Sequence, residues 1–501
     1  MSQIFHAKTK RIDIQNWEEM IVVLNEQEAR EYGINAFDKV SIFYKGQEIV
    51  LNVDLSNKLV KPREIWLYKD VYKKYKIKEN QNVWISFTTN SSESMEALKK
   101  AIKWFKLNYK EIYAIMKDIS TNRFTDTLIT YFSALGFFKK STDEELFMMT
   151  KAMAETWEML KFKWVVADKH CMGGVPGNET TMIMIPLLAS LGIKMPKTFS
   201  KSITTPAATW ECVDVLMDIS FNKQEIENLV KKENCCLVRW WWLDLAPADE
   251  KLIKVAYPLS MQSFSRTVVS IMAKKYAMWI NHSLIDIPVW PTAKVSNKKT
   301  ALWLKKKYEY IWKKLWMKMI VEITDAKEPI WAGIWPHLQV REVLRVLQQH
   351  ELRPMDLQNK AIHLCSKVIE LVWMAKWKKA HELAYNQLKS GAAWKKMQKI
   401  IKAQRWKNPN IKSEDLKLWK FKKEVKAEKN WTIKKIDLKL INDTTRTLWS
   451  PIDETSWLYL HKKTWDKVKE NDIIYTMYAS ETSKINMALQ NLKWKKMYEI
   501  K

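Results

Sequence analysis

The chain has 501 residues and a formal net charge of +28 at pH 7. A chain of this length exceeds what one compact core usually holds, so several domains are expected. A mean hydropathy of −0.34, and no apolar run near the ~20 residues of a transmembrane helix, exclude a membrane bundle. The five cysteines form no C-x-x-C pair, which disfavours a disulfide scaffold and a zinc module. With no secretory signal pattern at the N-terminus, we expect a cytoplasmic location.

The first part of the chain predicts two small domains. Residues 1–88 predict a β-rich domain, because short segments alternate apolar and polar side chains between turn residues. Those strands are predicted at residues 20–24, 39–44, 47–53 and 83–88. Residues 89–160, joined by about 245–282, predict a helical domain, because apolar residues recur at spacings of three and four. Its helices are predicted at residues 95–105, 109–119, 126–135 and 143–159.

The rest of the chain predicts an α/β domain followed by an α+β domain. Residues 161–244 and 283–424 alternate strand and helix patterns, which indicates a core with parallel strands. The pattern begins with a strand at 165–167, a loop at 168–178 and an apolar helix at 181–191. Residues 425–501 predict an α+β domain with short strands, so the fold class is multi-domain α/β.

Three of the nine glycines lie within five residues of the loop after the first α/β strand. Gly173, Gly174 and Gly177 allow backbone N–H groups to approach an anion closely. Lys169 adds a positive charge, while Thr180 and Thr181 add hydroxyls at the start of the next helix, whose N-terminus also attracts anions. The loop therefore predicts a phosphate-binding site, and an ordinary tight strand–helix turn is the alternative. It is not a Walker A loop, because the lysine precedes the glycines.

Two further features bear on the site. His170 lies beside the glycines and is either a catalytic residue or a hydrogen-bonded structural one. The other histidines have no metal-ligand spacing, so no metal site is predicted. Residues 197–209 are rich in Thr, Ser and Lys, which suggests a hydroxyl-lined site for an anion or a ribose, with a capped polar loop as the alternative.

The positive charge comes mainly from lysine, since only 11 of the 84 basic residues are arginine. The lysines are scattered along the chain, whereas a nucleic-acid site favours clustered arginine with aromatic residues placed to stack. A solvated lysine-rich surface is therefore the favoured interpretation, and nucleic-acid binding is disfavoured. Attraction of small phosphorylated substrates is the remaining alternative.

Five motifs, in order along the chain, resemble those of the thymidine phosphorylase family, and most closely its AMP phosphorylase branch. They cover residues 168–178 (D-K-H-C-M-G-G-V-P-G-N), 196–209, 245–249 (L-A-P-A-D), 269–275 and 285–294. The resemblance extends over nearly the whole chain. It implies phosphorolysis of an N-glycosidic bond, in which phosphate attacks C1′ of the sugar as the base leaves.

In the AMP branch the substrates are AMP or another nucleoside monophosphate and inorganic phosphate, and the products are adenine and ribose 1,5-bisphosphate. The resemblance implies no cofactor, with phosphate as co-substrate, and a homodimer or larger homo-oligomer. The residues that it assigns to the nucleotide are Gly174, Ser200, Lys201, Ser202, Ile203, Thr204, Thr205, Thr209, Ser270 and Lys294. Those predicted at the phosphate are Lys169, Gly173, Thr180 and Thr181, and those predicted to be catalytic are His170 and Gln262.

The chain departs from the family pattern at three of these positions. Gln262 stands where the family has the aspartic acid that protonates the leaving base, and an amide donates hydrogen bonds without transferring a proton. Cys171 replaces the signature serine, and Lys201 replaces an arginine, so the two-pronged guanidinium is lost. A pyrimidine nucleoside phosphorylase is the alternative enzyme, and a basic RNA-binding protein on an inactive scaffold is the alternative from another class.

Glycine and tryptophan have abnormal frequencies. The chain has 9 glycines and 27 tryptophans, and only their combined share, about 7%, matches the usual glycine content. Tryptophan stands at family glycine positions or in turn contexts at residues 157, 164, 240–242, 279, 290, 312, 316, 331, 335, 431, 457 and 465. We therefore hypothesise that codons read as glycine in the cell are written here as tryptophan, although some, such as Trp394, are genuine. A protein truly rich in tryptophan is the alternative.

Overall fold

The fold is described from a computed structural model. It describes residues 5–16, 19–88, 91–138, 141–156, 159–199, 209–239, 247–256, 263–330, 332–405, 408–416, 421–449, 456–492 and 497–500. The chain forms two compact units, Met1–Ser141 with Pro247–Ser263, and Thr142–Ala246 with Phe264–Lys501. Both helices and strands are present in each unit, so the predicted mixture of α and β structure is confirmed. The finer division into four domains stays a prediction.

The strands follow one another along the chain with these bounds. They are β1 (Phe5–Arg11), β2 (Ile21–Asn25), β3 (Lys39–Tyr44), β4 (Gln47–Ser56), β5 (Glu64–Leu67), β6 (Asn82–Phe87), β7 (Ala167–Cys171), β8 (Met195–Phe199), β9 (Cys235–Arg239), β10 (His282–Val289), β11 (Lys318–Asp325), β12 (Gly333–Ile334), β13 (Phe421–Lys426), β14 (Trp431–Ile436), β15 (Trp457–Leu460), β16 (Lys467–Val468), β17 (Ile473–Ala479) and β18 (Tyr498–Ile500).

The helices alternate with these strands. They are α1 (Glu26–Glu31), α2 (Lys69–Lys74), α3 (Ser92–Ile102), α4 (Tyr109–Ser120), α5 (Asp126–Phe138), α6 (Asp143–Glu155), α7 (Thr180–Ser190), α8 (Thr209–Asp214), α9 (Lys223–Glu233), α10 (Pro247–Ala256), α11 (Phe264–Ala277), α12 (Lys298–Lys314), α13 (Pro336–Leu347), α14 (Met355–Leu371), α15 (Trp377–Lys389), α16 (Ala392–Ala403), α17 (Leu438–Thr447) and α18 (Thr482–Leu492). Among the residues described, no helix is both long and apolar enough to cross a membrane.

The first unit combines a closed barrel with a group of helices. The barrel has the strand order β1-β5-β2-β4-β3-β6, and β6 pairs with β1 to close it. Lys45 and Gly46 both have positive φ angles in the turn between β3 and β4, as a tight hairpin requires. Helices α3, α4, α5 and α10 pack together beside the barrel strands within this unit. Four of the six strands were predicted, while β1 and β5 were not.

The core of the second unit is parallel sheet covered by helices. Strand β10 lies between β7 and β11, and all three are parallel. Strands β8 and β9 form a parallel pair, and a bridge between Val166 and Lys194 connects this pair to the start of β7. Helix α7 is buried along almost its whole length, so it lies at the centre of the apolar core. The carboxyl ends of parallel strands are the usual place for ligand sites in such sheets.

The predicted boundary between strand and loop near residue 167 is wrong. We expected a strand at 165–167 and a loop from residue 168, but β7 runs from Ala167 to Cys171. Asp168 and Lys169 were assigned to the loop because they are charged. Both are buried inside the second unit, where ion pairs and hydrogen bonds take the place of water.

The C-terminal part of the second unit has two small antiparallel sheets. One has the order β12-β15-β17-β13, and the other has the order β16-β14-β18. Helices α17 and α18 pack against each other in this region. The first sheet includes β12 and β13, which begin before residue 425, so an α+β domain with the bounds 425–501 stays a prediction.

Candidate active site

Lys169 lies near the end of β7 and connects that strand to the start of α7. Its side chain is fully buried, and its Nζ donates to Thr180 Oγ1 at 2.8 Å and to Thr181 Oγ1 at 3.5 Å. Gly173 and Gly177 both have positive φ angles in the loop between them. The fold therefore brings together the lysine, the glycines and the two threonines that the sequence predicted around one anion.

Gly174 joins this loop to the end of β10. Its φ angle is +86°, and a Cβ atom placed on it would lie 2.5 Å from Cβ and 2.8 Å from the backbone N of Lys294. No side chain fits there, so glycine is required by close backbone contact as well as by conformation. Burial lowers the pKa of Lys294 to about 8, and Lys274 acts in the same direction. Lys294 thus lies beside the glycine loop, and its assignment to the nucleotide stays a prediction.

A network of buried charges lies at the base of the site. Lys197 Nζ is 3.3 Å from Asp168 Oδ1 and donates to the backbone oxygen of Lys169 at 2.7 Å. Lys275, on α11, forms a second ion pair with Asp168. Burial acts to raise the pKa of Asp168, but Lys197 and Lys275 hold it below the ordinary value. Asp168 is therefore an ionised anchor on β7 that fixes one lysine from each of two other elements, β8 and α11.

His170 faces several of these lysines. Burial lowers its pKa well below the ordinary value, and Lys275, Lys197, Lys274 and Lys169 add to the effect. The ring is therefore neutral at neutral pH, and it can donate or accept a hydrogen bond but does not supply a proton as an imidazolium. Its Nδ1 is buried and has no hydrogen-bond partner among the residues described.

The thiol of Cys171 belongs to the loop's hydrogen-bond network. Its Sγ accepts from Gly173 N at 3.4 Å and from Asn178 Nδ2 at 3.2 Å. Burial and the neighbouring carboxylate of Asp286, on β10, raise the pKa of this thiol to about 11. Cys171 is therefore a protonated structural thiol and is a poor nucleophile at neutral pH.

Thr209 and Ser270 are the remaining predicted residues that the structure describes. Thr209, at the start of α8, donates a hydrogen bond of 3.2 Å to Glu179 Oε2, so it lies next to the first turn of α7. Ser270 Oγ accepts from Lys274 Nζ at 3.0 Å on α11, and Lys274 is one of the lysines that act on His170. Both residues thus adjoin the cluster formed by Lys169 and its neighbours.

The other predicted site residues lie outside the described part of the chain. They are Ser200, Lys201, Ser202, Ile203, Thr204, Thr205 and Gln262. The site also includes Lys275 and Glu179, which the sequence analysis did not assign, and Lys197, which it gave only as the start of the polar segment 197–209. Charged residues flanked by apolar strand or helix residues were the available signal, because such residues are almost never buried unless they are paired.

Lysines outnumber carboxylates in this part of the protein. The lysines are Lys169, Lys197, Lys274, Lys275, Lys294 and Lys360, and the carboxylates are Asp168, Glu179 and Asp286. Lys360 pairs with Asp286 at 3.4 Å, and Asp168 pairs with two others. The excess of positive charge is costly in a buried site unless anions bind there. Among the described residues, no group of three or more His, Cys, Asp or Glu is placed to hold a metal ion.

Comparison with known proteins agrees with this geometry. The chain is 33% identical to a Bradyrhizobium diazoefficiens protein provisionally named thymidine phosphorylase, over 96% of this chain and 93% of that protein. It is 32% identical to the AMP phosphorylase of Methanosarcina mazei, over 93% of this chain and 92% of that one. The AMP phosphorylase of Thermofilum pendens is 31% identical, over 93% and 89%. The chain belongs to the thymidine and AMP phosphorylase family.

Two further comparisons concern the domains. Residues 95–156 match the helical bundle domain of the glycosyl transferase family. A crystal structure of anthranilate phosphoribosyltransferase from Thermus thermophilus is similar with a TM-score of 0.53 and 13% identity, over 62% of this chain and all of that one. At that identity the similarity shows a shared fold. Its family thus makes this protein an enzyme of the pentosyltransferase type.

Proposed function

We propose that this enzyme cleaves nucleoside 5′-monophosphates with inorganic phosphate, converting AMP to adenine and ribose 1,5-bisphosphate. The observation that carries the proposal is the excess of lysines over carboxylates around the glycine loop, where Lys169, Lys197, Lys274 and Lys275 are buried. Inorganic phosphate supplies one anion. A nucleotide brings a second in its 5′-phosphate, whereas a nucleoside brings none. Two anions compensate the buried positive charge better than one.

The described residues fit the demands of phosphorolysis. Lys169, the hydroxyls of Thr180 and Thr181 and the N-terminus of α7 bind the attacking phosphate and hold one of its oxygens toward C1′ of the ribose. That oxygen forms the new bond as the bond from C1′ to the base nitrogen breaks. The electron pair of the broken bond between C1′ and the base nitrogen leaves with the base, which then takes up a proton. In the transition state the sugar carries positive charge, and the negative charge of the bound phosphate stabilises that positive charge.

Departure of the base is the step in which this chain differs from its family pattern. Gln262 donates a hydrogen bond to the base without transferring a proton. His170 is neutral and also acts by hydrogen bonding. In our proposal the proton therefore comes from water or from the substrate, and adenine, whose ring nitrogens accept protons readily, suits such a site.

The test is a comparison of substrates with and without phosphate. We expect adenine and ribose 1,5-bisphosphate to form from AMP only when phosphate is present, as followed by chromatography of the base and 31P NMR of the sugar phosphate. Lys169→Met should lower kcat/KM for AMP by at least ~100-fold, because a charge that binds phosphate is lost. The matched control, Lys299→Met at an exposed position of α12, should retain activity. Adenine release without phosphate would contradict the proposal.

A nucleoside phosphorylase is the second candidate, and the 33% identity with the Bradyrhizobium protein favours it. The same assay separates the two candidates. If thymidine or adenosine reacts with a kcat/KM equal to that of AMP, the 5′-phosphate contributes nothing to transition-state binding. The enzyme would then be a nucleoside phosphorylase.

A further inference from the structure

Glu179 is a buried carboxylic acid at the place where the proposed function needs an anion. It directly precedes Thr180 and Thr181, whose hydroxyls contact Lys169. Its side chain is only 5% exposed, and its single side-chain hydrogen bond among those described comes from Thr209. The N-terminus of α7 thus carries a fixed acid in addition to its lysine and hydroxyls.

Within the described part of the chain, the charged groups that face Glu179 come from three elements. Lys169 on β7 and Lys197 on β8 favour its ionised form, and Glu211 on α8 favours its protonated form. Burial outweighs the lysines and raises the pKa of Glu179 to about 7. The carboxyl group therefore changes its protonation state in the neutral pH range, where an enzyme of this type works.

A carboxylate and a phosphate anion repel each other when they share a buried site. If Glu179 is ionised, it competes with phosphate for Lys169 and for the N-terminus of α7. If it is protonated, the repulsion disappears and its O–H can donate a hydrogen bond to a phosphate oxygen. Glu179 and phosphate can therefore share the site only when Glu179 is protonated.

We propose that Glu179 couples phosphate binding to proton uptake. Its carboxylate takes a proton from solvent when inorganic phosphate enters the site, and returns that proton when ribose 1,5-bisphosphate leaves. The coupling rests on the proposed function, because it assumes that phosphate binds beside Lys169. It makes Glu179 a positioning residue that sets the pH range in which phosphate is held.

Calorimetric titration with inorganic phosphate at pH 8, in buffers of different ionisation enthalpy, counts the protons taken up. We expect the parent enzyme to take up close to one proton per phosphate, Glu179→Gln to take up none and Glu179→Asp to retain the uptake. Glu227→Gln, on α9 outside the site, is the matched control. It should take up as many protons per phosphate as the parent enzyme does.

The KM for phosphate supplies a second measurement. At pH 8 the Glu179→Gln variant should bind phosphate about tenfold more tightly than the parent. In the parent, Glu179 must first be protonated at a pH one unit above its pKa, which lowers the affinity about tenfold, whereas the glutamine needs no proton. At pH 6 the two should agree. Equal proton uptake by parent and Glu179→Gln would overturn the coupling alone, whereas failure of the parent to bind phosphate would overturn the proposed function as well.

The tryptophans support a second and independent inference. Among the described residues, eight tryptophans have positive φ angles, compared with one phenylalanine, Phe37, and no tyrosine. A positive φ angle is unfavourable for any bulky side chain and is the usual territory of glycine. The eight are Trp104, Trp164, Trp279, Trp316, Trp373, Trp377, Trp449 and Trp465. Aromatic character therefore does not explain their conformation.

Five of the eight follow the last turn of a helix, namely Trp104, Trp279, Trp316, Trp373 and Trp449. Trp373 N donates to Glu370 O at 3.0 Å, and Met374 N donates to Ile369 O at 3.1 Å. This pair of bonds is the Schellman motif, whose left-handed residue is usually glycine. Gly192 closes α7 with the same bonds, since Gly192 N donates to Ala189 O at 3.1 Å and Ile193 N to Leu188 O at 3.2 Å.

The side chains at these helix ends project into solvent. Trp316 is 93% exposed and Trp373 is 71% exposed, so neither indole fills a core or a described pocket. The rings of Trp279, Trp373 and Trp449 contact lysine ammonium groups at the surface, while the left-handed backbone at all five positions is the conformation that glycine favours. We propose that these five codons are UGA and that the cell that makes this protein reads UGA as glycine.

The tryptophans named from composition divide into two groups by conformation. Trp164, Trp279, Trp316 and Trp465 were assigned to glycine, and all have positive φ angles. Trp431 lies in β14, and Trp335 has an extended φ of 179°. Conformation gives no reason for glycine at these two, nor at Trp290, Trp312 and Trp457, none of which has a positive φ angle. Residues 157, 240–242 and 331 lie outside the described part of the chain.

Peptide mass spectrometry of the protein from its own cells tests the assignment. Peptides that contain the five helix-ending positions should be lighter by about 129 Da per position, because glycine has no side chain. The peptide that contains Trp394, inside α16, is the internal control and should have the mass of tryptophan. Codons read from the gene should be UGA at the five positions and UGG at Trp394. Tryptophan masses at the helix ends would overturn the proposal.

Discussion

The loop after β7 and the helix ends of the second unit both use left-handed backbone, but they use it for different reasons. At Gly174 a Cβ atom would lie 2.5 Å from Lys294, so the backbone excludes any side chain. At Gly192 the φ angle is almost the same, +85°, and nothing lies within 4 Å of a Cβ atom. Trp316, with a φ angle of +57°, closes α12 in the same way as Gly192 closes α7.

The comparison separates two demands that are both met by glycine. At the helix ends, only the backbone conformation is unfavourable, and its cost for a residue with a side chain is about 1–2 kcal/mol. In the loop, a side chain also collides with a neighbouring backbone, and the collision moves a lysine of the active site. A tryptophan at a helix end therefore lowers stability, whereas any side chain at Gly174 damages function.

The largest effect is expected from the five helix ends together. Replacing Trp104, Trp279, Trp316, Trp373 and Trp449 by glycine removes the strain at each site. Glycine's greater freedom in the unfolded chain offsets part of that gain, so about 0.5–1 kcal/mol remains per site. If the five sites act independently, the gains add to about 2.5–5 kcal/mol. Chemical denaturation of both proteins measures the difference, and an unchanged free energy of unfolding would contradict the strain argument.

The next effect concerns the loop. Gly174→Ala should lower kcat/KM for AMP by about 100-fold, because the added methyl group displaces Lys294 and misplaces the substrate. Steady-state kinetics measures this loss. Gly192→Ala is the matched control, since its φ angle is the same but its surroundings are open. It should keep full activity and lose only about 1 kcal/mol of stability. Equal activity in the two variants would show that close contact at Gly174 is unimportant.

The smallest effect is expected from one helix end alone. Trp316→Gly should stabilise the protein by about 0.5–1 kcal/mol, measured by thermal or chemical unfolding. Trp394→Gly is the opposite case, because Trp394 lies inside α16 and packs against the core. It should destabilise the protein by at least about 1 kcal/mol, since glycine in a helix interior is unfavourable and contacts are lost. Destabilisation by both substitutions would remove the distinction between the two kinds of tryptophan.

Local patterns were sufficient for the five helices predicted between residues 95 and 191, which occur as α3 to α7, and for the glycine cluster. The helix predicted at 109–119 occurs as α4, with Asn108 and Glu111 forming its capping box. The helix predicted at 181–191 occurs as α7. Period and capping are local properties, so they can be read from neighbouring residues. The glycine cluster, Lys169 and the two threonines were likewise close in sequence.

Residues that meet across the fold could not be found in this way. Lys275 on α11 and Lys197 on β8 reach Asp168 on β7, and no local pattern connects three such distant segments. The same charges concealed the extent of β7, because Asp168 and Lys169 would be exposed in most proteins. Strands β1 and β5 were missed for a related reason, since their pairing within the barrel depends on partners elsewhere in the chain.

The backbone conformation at Trp316 and at the other four helix-ending tryptophans indicates which amino acid each codon specifies in the cell. Under the proposed decoding of UGA, a positive φ angle at a tryptophan that follows the last turn of a helix marks a reassigned triplet. Other proteins encoded in the same genome should show the same surplus of written indoles after their last helical turns. Backbone conformation can therefore be used, without an alignment of homologous genes, to test which triplets an organism reads as glycine.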